Sequence, residues 1–139
     1  MIGLPILTYH GIEKEPGEFS WTEAEGPYVV SFASFEEQLR FIVKNGFSSL
    51  NLKELENWVQ AIENKGSAPL KKVVLTFDDA HVSHLQYAAP VLRRNRLSAI
   101  FFVPAGFVGR DEHLNVSDLR SLVRDGFEVG SHGFSHVAL

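Results

Sequence analysis

Short apolar runs alternate with segments of helical period along the whole chain, and that alternation restricts the fold to βα units joined into a parallel sheet. The runs at residues 4–9 (LPILTY), 47–50 (FSSL), 73–77 (VVLTF), 99–103 (AIFFV) and 127–129 (FEV) are rich in β-branched and aromatic residues. Their length and composition predict five strands buried on both faces. Between them, Ser34-Phe35-Glu36-Glu37 reads as a capping box, with Phe35, Leu39 and Ile42 on one apolar stripe and Gly46 as the stop. Asn51-Leu52-Lys53-Glu54 repeats the signature, with Leu55, Trp58, Val59 and Ile62 as the inward face and Asn64-Lys65-Gly66 as the end. A third helix covers about residues 83–95, where Pro90 requires either a late start or a kink. A fourth is capped by Ser117, closed by Gly126 and turns Leu119, Leu122 and Val123 inward. Residues 11–31 show neither period, hold Pro16, Gly17, Gly26 and Pro27, and read as a long functional loop beside a site.

Composition narrows the chemistry. With 139 residues, 13 Lys+Arg and 17 Asp+Glu, the formal charge is −4 and the cations are scattered, so no footprint for a nucleic-acid backbone or an anionic membrane is visible. No run is apolar and long enough to span a bilayer. The absence of cysteine excludes disulfides, thiolate zinc sites and cysteine nucleophiles, leaving His, Asp and Glu as metal ligands. The N-terminus lacks a basic segment followed by an apolar stretch, so the chain as given is not addressed to export and reads as cytoplasmic if complete.

Two clusters fall at the carboxyl ends of expected strands, where side chains of parallel α/β folds converge on ligands. Thr76-Phe77-Asp78-Asp79 sets two carboxylates directly after an apolar strand. They suit a divalent cation, and they suit equally a helix cap beside a solvated acid. Gly130-Ser131-His132-Gly133-Phe134-Ser135-His136 carries two histidines four apart, a spacing that aims both rings at one point across a helical turn and that also arises by chance. Jointly the clusters supply two imidazoles and a carboxylate, an open metal set, with a second carboxylate left to act as a base. His81 and His84 fit exposed loop or helix positions, and nothing recommends His113 as a ligand. Phe19, Trp21, Tyr28 and Phe32 suit packing as well as sugar stacking.

These motifs, with Leu7-Thr8-Tyr9-His10-Gly11-Ile12, Tyr87-Ala88-Ala89-Pro90-Val91-Leu92 and Ala99-Ile100-Phe101-Phe102-Val103, resemble the polysaccharide deacetylases, carbohydrate esterase family four with its NodB-like domain. The resemblance spans nearly the whole chain, taken as one domain over residues 1–139. It implies a distorted (β/α) barrel that hydrolyses N- or O-linked acetyl groups on carbohydrate polymers. Carried over by residue, Asp78 is the general base and Asp79, His132 and His136 hold a divalent metal, most often zinc, with cobalt, manganese or nickel as alternatives. Tyr9 and His10 match a pair at the end of the first barrel strand, which makes His10 a substrate-binding residue. Two positions depart from the family pattern: Ala80 stands where glycine is usual, and Gly133 where serine or threonine is usual.

The family domain also continues beyond the second histidine motif, through strands that carry its general acid. The expectation is therefore a barrel truncated on its C-terminal side, with about five strands and four helices and an open side that a second copy could cover. Other readings are a metal- or sugar-binding fragment without turnover, and an amidohydrolase acting on a non-sugar amide. Family members commonly act on envelope polymers, which a removed leader would reconcile with this N-terminus.

Overall fold

A computed structural model describes residues 3–135. The expected α/β order is present. Strands β1 (Ile6–Tyr9), β5 (Lys72–Asp78), β6 (Ile100–Val103) and β7 (Glu128–Ser131) form a parallel sheet in that spatial order, and the two-residue β4 (Ser48–Ser49) pairs with the start of β5. Residues 11–31, expected as one long loop beside a site, carry short strands at both ends. Their two ends pair in parallel as β2 (Gly11–Glu13) and β3 (Val29–Ser31), preceded at β3 by a short 3-10 turn at Gly26–Tyr28.

Helix α1 (Phe32–Lys44) starts one turn before the expected cap. The Ser31 side chain accepts from Ser34 N–H at 3.1 Å, because Ser31 still has extended backbone while Ser34 is already helical. Phe35, Leu39 and Ile42 are buried as the stripe requires. Helix α2 (Leu52–Lys65) has the expected Asn51–Glu54 capping box and ends at Gly66, whose φ of +64° is the left-handed conformation suited to glycine. None of its inward face is fully buried, and Val59 is exposed.

Pro90 resolves the third helix in an unusual way. A π-helical turn spans His84–Ala88, with Ala89 N–H reaching His84 C=O, and α3 (Ala89–Arg94) follows with the proline in its first turn. Widening the turn before the proline removes the demand for the N–H that Pro90 lacks. Helix α4 (Val116–Arg124) is capped by Asn115 in a box with Asp118 rather than by Ser117. It buries Leu122 while Val123 faces solvent, a correction to the expected inward set.

The sheet has two unlike faces. Odd-numbered residues of β5 (Val73, Leu75, Phe77) join Phe35, Leu39 and Leu122 in the main core, which α1, α3 and α4 cover. Each large side chain fully buried there contributes about 1.5–3 kcal/mol. Even-numbered residues face the other way. Val74 packs with Leu50 and Ile100 under Leu55 and Trp58 of α2, and above them Thr76 donates to Thr8 at 2.9 Å. This second face is only partly covered, and Ile6 on it is 59% exposed; on the main-core face Val129, the register partner of Phe101, is 38% exposed, so β1 and β7 are not buried on both sides as expected. No helix among the described residues is long and apolar enough to cross a membrane.

Arg96 follows the cap of α3 at φ +54° and is exposed. A left-handed arginine costs more than the entropy that glycine loses on folding. Arg96→Gly is therefore expected to raise the unfolding free energy by about 0.5 kcal/mol, read from the urea midpoint at unchanged m-value.

Candidate active site

The rim of the sheet is set by a row of rings. Tyr9, Phe77 and Phe101 occupy adjacent register positions on β1, β5 and β6, with centroid separations of 5.2 Å and 4.8 Å, and Phe127 closes the row 5.5 Å from Phe101. The residue after each ring emerges at the carboxyl end. His10 follows Tyr9 and Asp78 follows Phe77, which brings His10 Nε2 within 3.9 Å of Asp78 Oδ2. On the opposite face Gly130 lies beside Phe102, where a Cβ would come within 2.8 Å of the ring. Glycine lets β7 close on β6, and His132, two residues on, places Nε2 at 3.5 Å from Asp79 Oδ1.

Four of the expected site residues thus meet at one rim: His10, Asp78, Asp79 and His132. His136 lies outside the described residues. The side chains of Asp78 and Asp79 are 17% and 15% exposed, dry enough that charge there needs a partner. Donor atoms about 2.0–2.1 Å from a tetrahedral zinc lie about 3.4 Å apart, so the Asp79–His132 separation fits a pair of ligands on one cation. Among the described residues alone, no group of three side chains completes such a set.

The turn that presents Asp79 is strained. Asp79 and Ala80 have φ of +74° and +54°, so the usual glycine at the second of these positions is explained by backbone geometry, and Ala80 holds that geometry without it. The surrounding bonds over-determine the turn. Asp79 N–H reaches Phe102 C=O at 3.1 Å, Leu114 N–H reaches Ala80 C=O at 2.8 Å, and Val82 N–H reaches Glu112 C=O at 2.8 Å. Gly133 has φ of +75°, which accounts for glycine in place of the usual hydroxyl residue. Its carbonyl and that of Phe134 accept from Ala105 and Gly106, anchoring the histidine loop to the end of β6.

Two histidines expected at exposed positions are not there. His81 is 6% exposed and His84 is fully buried, a correction to their reading as exposed positions. Sequence pattern could not show this, because their cover comes from distant segments: Trp21 lies over His81 at 4.2 Å, and Phe77 and Phe101 flank His84 at 5.4 Å and 5.8 Å. His81 Nδ1 accepts from Ser83 N–H at 3.2 Å, and burial, reinforced by the nearby His113, pushes its pKa down to about 4. Burial likewise pushes His84 down to about 3, and its Nε2–H donates to the His10 carbonyl. His113, passed over in the sequence, pairs with His81 across an antiparallel bridge and joins it in lining a cavity of about 430 Å³. Trp21 and Tyr28 also line that cavity, which opens beside His10 and Asp79. Phe19 and Phe32 pack instead, against His81 and Tyr87.

The polysaccharide deacetylase family profile matches residues 65–139, more than half the chain. The chain belongs to that family. It is 26% identical over 128 residues to the poly-β-1,6-N-acetyl-D-glucosamine N-deacetylase of Staphylococcus aureus (strain MSSA476), an alignment that covers 86% of this chain and 43% of that protein. Among solved structures, IcaB from Ammonifex degensii superposes with a TM-score of 0.77 at 28% identity, over 95% of this chain and 53% of that one. The Streptococcus pyogenes deacetylase PplD in complex with acetate superposes with a TM-score of 0.75 at 25% identity, over 96% and 57%. The fold is therefore that of the NodB-type deacetylases, and the chain spans about half the length of these relatives.

The buried histidines give stability a pH dependence. His84 has a folded pKa of about 3, below its value in the unfolded chain, so the unfolded state takes up a proton that the folded state refuses. Stability is full above about pH 6.5 and falls below it, by about 1.4 kcal/mol per pH unit from this residue. Urea unfolding at pH 7.5, 6 and 5 is expected to show the decline, and His84→Phe is expected to make it shallower.

Proposed function

We propose that this domain hydrolyses acetyl groups from the amino sugars of a carbohydrate polymer. The observation that carries the reading is the meeting of His10, Asp78, Asp79 and His132 at one rim of the sheet in a chain of this family. The names of the relatives favour an N-acetyl rather than an O-acetyl substrate.

Asp79, His132 and His136 would hold the divalent cation, most often zinc, by the donor chemistry of one carboxylate and two neutral imidazoles. When bound, such a cation polarises an acetyl carbonyl and lowers the pKa of water. Asp78 stands beside that pair at the end of β5 and takes the proton of the attacking water. The water oxygen bonds to the acetyl carbon, the carbon–nitrogen bond breaks, and acetate leaves while the amine gains a proton. His10 steadies Asp78 from 3.9 Å and faces the substrate. The cavity between Trp21, Tyr28 and His113 lies next to these groups, and its volume falls within the range that encloses a small ligand such as one sugar ring. Flat aromatic walls suit the apolar face of that ring.

The roles separate by substitution in the protein carrying this sequence. Asp78→Asn is expected to retain about one equivalent of zinc and to lose at least about a hundredfold in acetate release from an N-acetylglucosamine oligomer. Asp79→Ala combined with His132→Ala is expected to lose the zinc as well. Near-normal turnover by Asp78→Asn would remove the base from this assignment.

A further inference from the structure

His84 is a fully buried polar side chain that the proposed chemistry does not use. It opens the π-helical turn before α3, between the rings of Phe77 and Phe101. Its Nε2–H donates to the carbonyl of His10, 74 residues away in sequence, while the buried Nδ1 has no hydrogen-bond partner. A neutral imidazole held by one bond in a dry core is an expensive way to fill space, since phenylalanine or leucine would pack there without leaving a bare nitrogen. What the histidine adds is the donor.

The neighbouring contacts show what that donor controls. Ser83, also fully buried, accepts from Ile12 N–H at 3.2 Å, so Ser83 and His84 grip the backbone on both sides of Gly11. Gly11 itself lies under the Trp21 ring, where a Cβ would come within 2.5 Å. The segment from His10 to Ile12 held in this way carries the imidazole that stands 3.9 Å from Asp78. The π-helical turn that carries His84 packs against β2, the strand that begins at Gly11.

We propose that His84 is a positioning residue for the deacetylation chemistry: by fixing the His10 carbonyl it holds the His10 imidazole beside Asp78. This inference rests on the deacetylase reading above. Without the donor the carbonyl between His10 and Gly11 loses the bond that fixes it on the His10 side, and the ring at its root shifts with it. A misplacement on the scale of an ångström lowers a rate by one to two orders of magnitude.

The test uses the zinc-loaded protein carrying this sequence, with His84→Phe, His84→Gln, His10→Ala and the double variant His10→Ala/His84→Phe. His84→Phe keeps the shape and removes the donor, and His84→Gln restores a donor at a similar reach. Expected for His84→Phe are a loss of about tenfold in kcat on an N-acetylglucosamine oligomer, KM and zinc content within about twofold, and a displaced His10 Hε1 resonance in the NMR spectrum. His84→Gln should recover most of the rate and the resonance position. The double variant should be no slower than His10→Ala, because the two act through one contact. Normal kcat in His84→Phe, or a further loss in the His10→Ala background, overturns the proposal. If His84→Phe does not fold, His84→Met against His84→Gln makes the same comparison. If the unsubstituted protein binds zinc and releases no acetate, the deacetylase reading fails. The His10 resonance then still decides whether His84 positions that residue.

Discussion

The register of the parallel sheet governs everything at the rim, and stacked rings hold it. Tyr9, Phe77 and Phe101 are register partners on three adjacent strands, and their row ends on Phe127. Because side chains alternate with period two, a slip of one residue would turn the rings outward and bury Thr8, Thr76 or Asp78 in the main core. The apolar face therefore determines where the acids stand. Asp78 reaches the rim because it follows Phe77. Its neighbour there is His10 because His10 follows Tyr9.

The opposite face of the sheet is built to other rules. Thr8 and Thr76 share a hydrogen bond across β1 and β5, and above them Asp78 and His132 line one side of a hollow that α2 closes only at its lower end. The helix-covered face of β5 itself presents only Val73, Leu75 and Phe77, which keeps the strand's polar side chains out of the main core. The half-covered face then carries Asp78 and His132, whose side chains are 17% and 33% exposed. Glycine at 130 belongs to the same arrangement: it gives Phe102 room beside β7, and the closeness of that strand sets the distance from His132 to Asp79.

Much of this could be read from the residues in order. The alternation of apolar runs with helical stripes identified the βα units, and the paired acids and spaced histidines identified the rim, since both rest on local pattern. What escaped depends on contacts between distant segments. His81 and His84 look like ordinary exposed loop and helix residues until Trp21, Phe77 and Phe101 are folded around them. The pairing of β2 with β3 joins two three-residue strands across the segment between them, too short to register in periodicity. The caps lie within a turn of the expected residues, at Ser31 instead of Ser34 and at Asn115 instead of Ser117, because only backbone conformation decides which residue is still extended. Val123 was placed inward by a stripe that the helix, once docked through Leu122, rotates toward solvent.

The turn after Asp78 shows how local strain and distant support are matched. Two consecutive residues with side chains, Asp79 and Ala80, hold left-handed backbone that each would leave if unrestrained. Backbone bonds to Phe102 and Leu114 oppose that, and the 109–115 segment that supplies the second is itself tied to the early chain, where Ser20 N–H donates to Glu112 at 3.0 Å. Ser83 and His84, immediately beyond the turn, are anchored to the backbone around Gly11. The carboxylate of Asp79 is thus aimed by a turn that three separate stretches of chain hold in place. Such over-determination is what a ligand or a base requires, because a side chain that must be ordered at the moment of reaction lowers the rate by the entropy of ordering it. A glycine at position 80 would relax the turn at the expense of that constraint, and alanine keeps the backbone from sampling alternatives in the unfolded chain. The departure from the family pattern at this position is therefore compatible with a rigid rim.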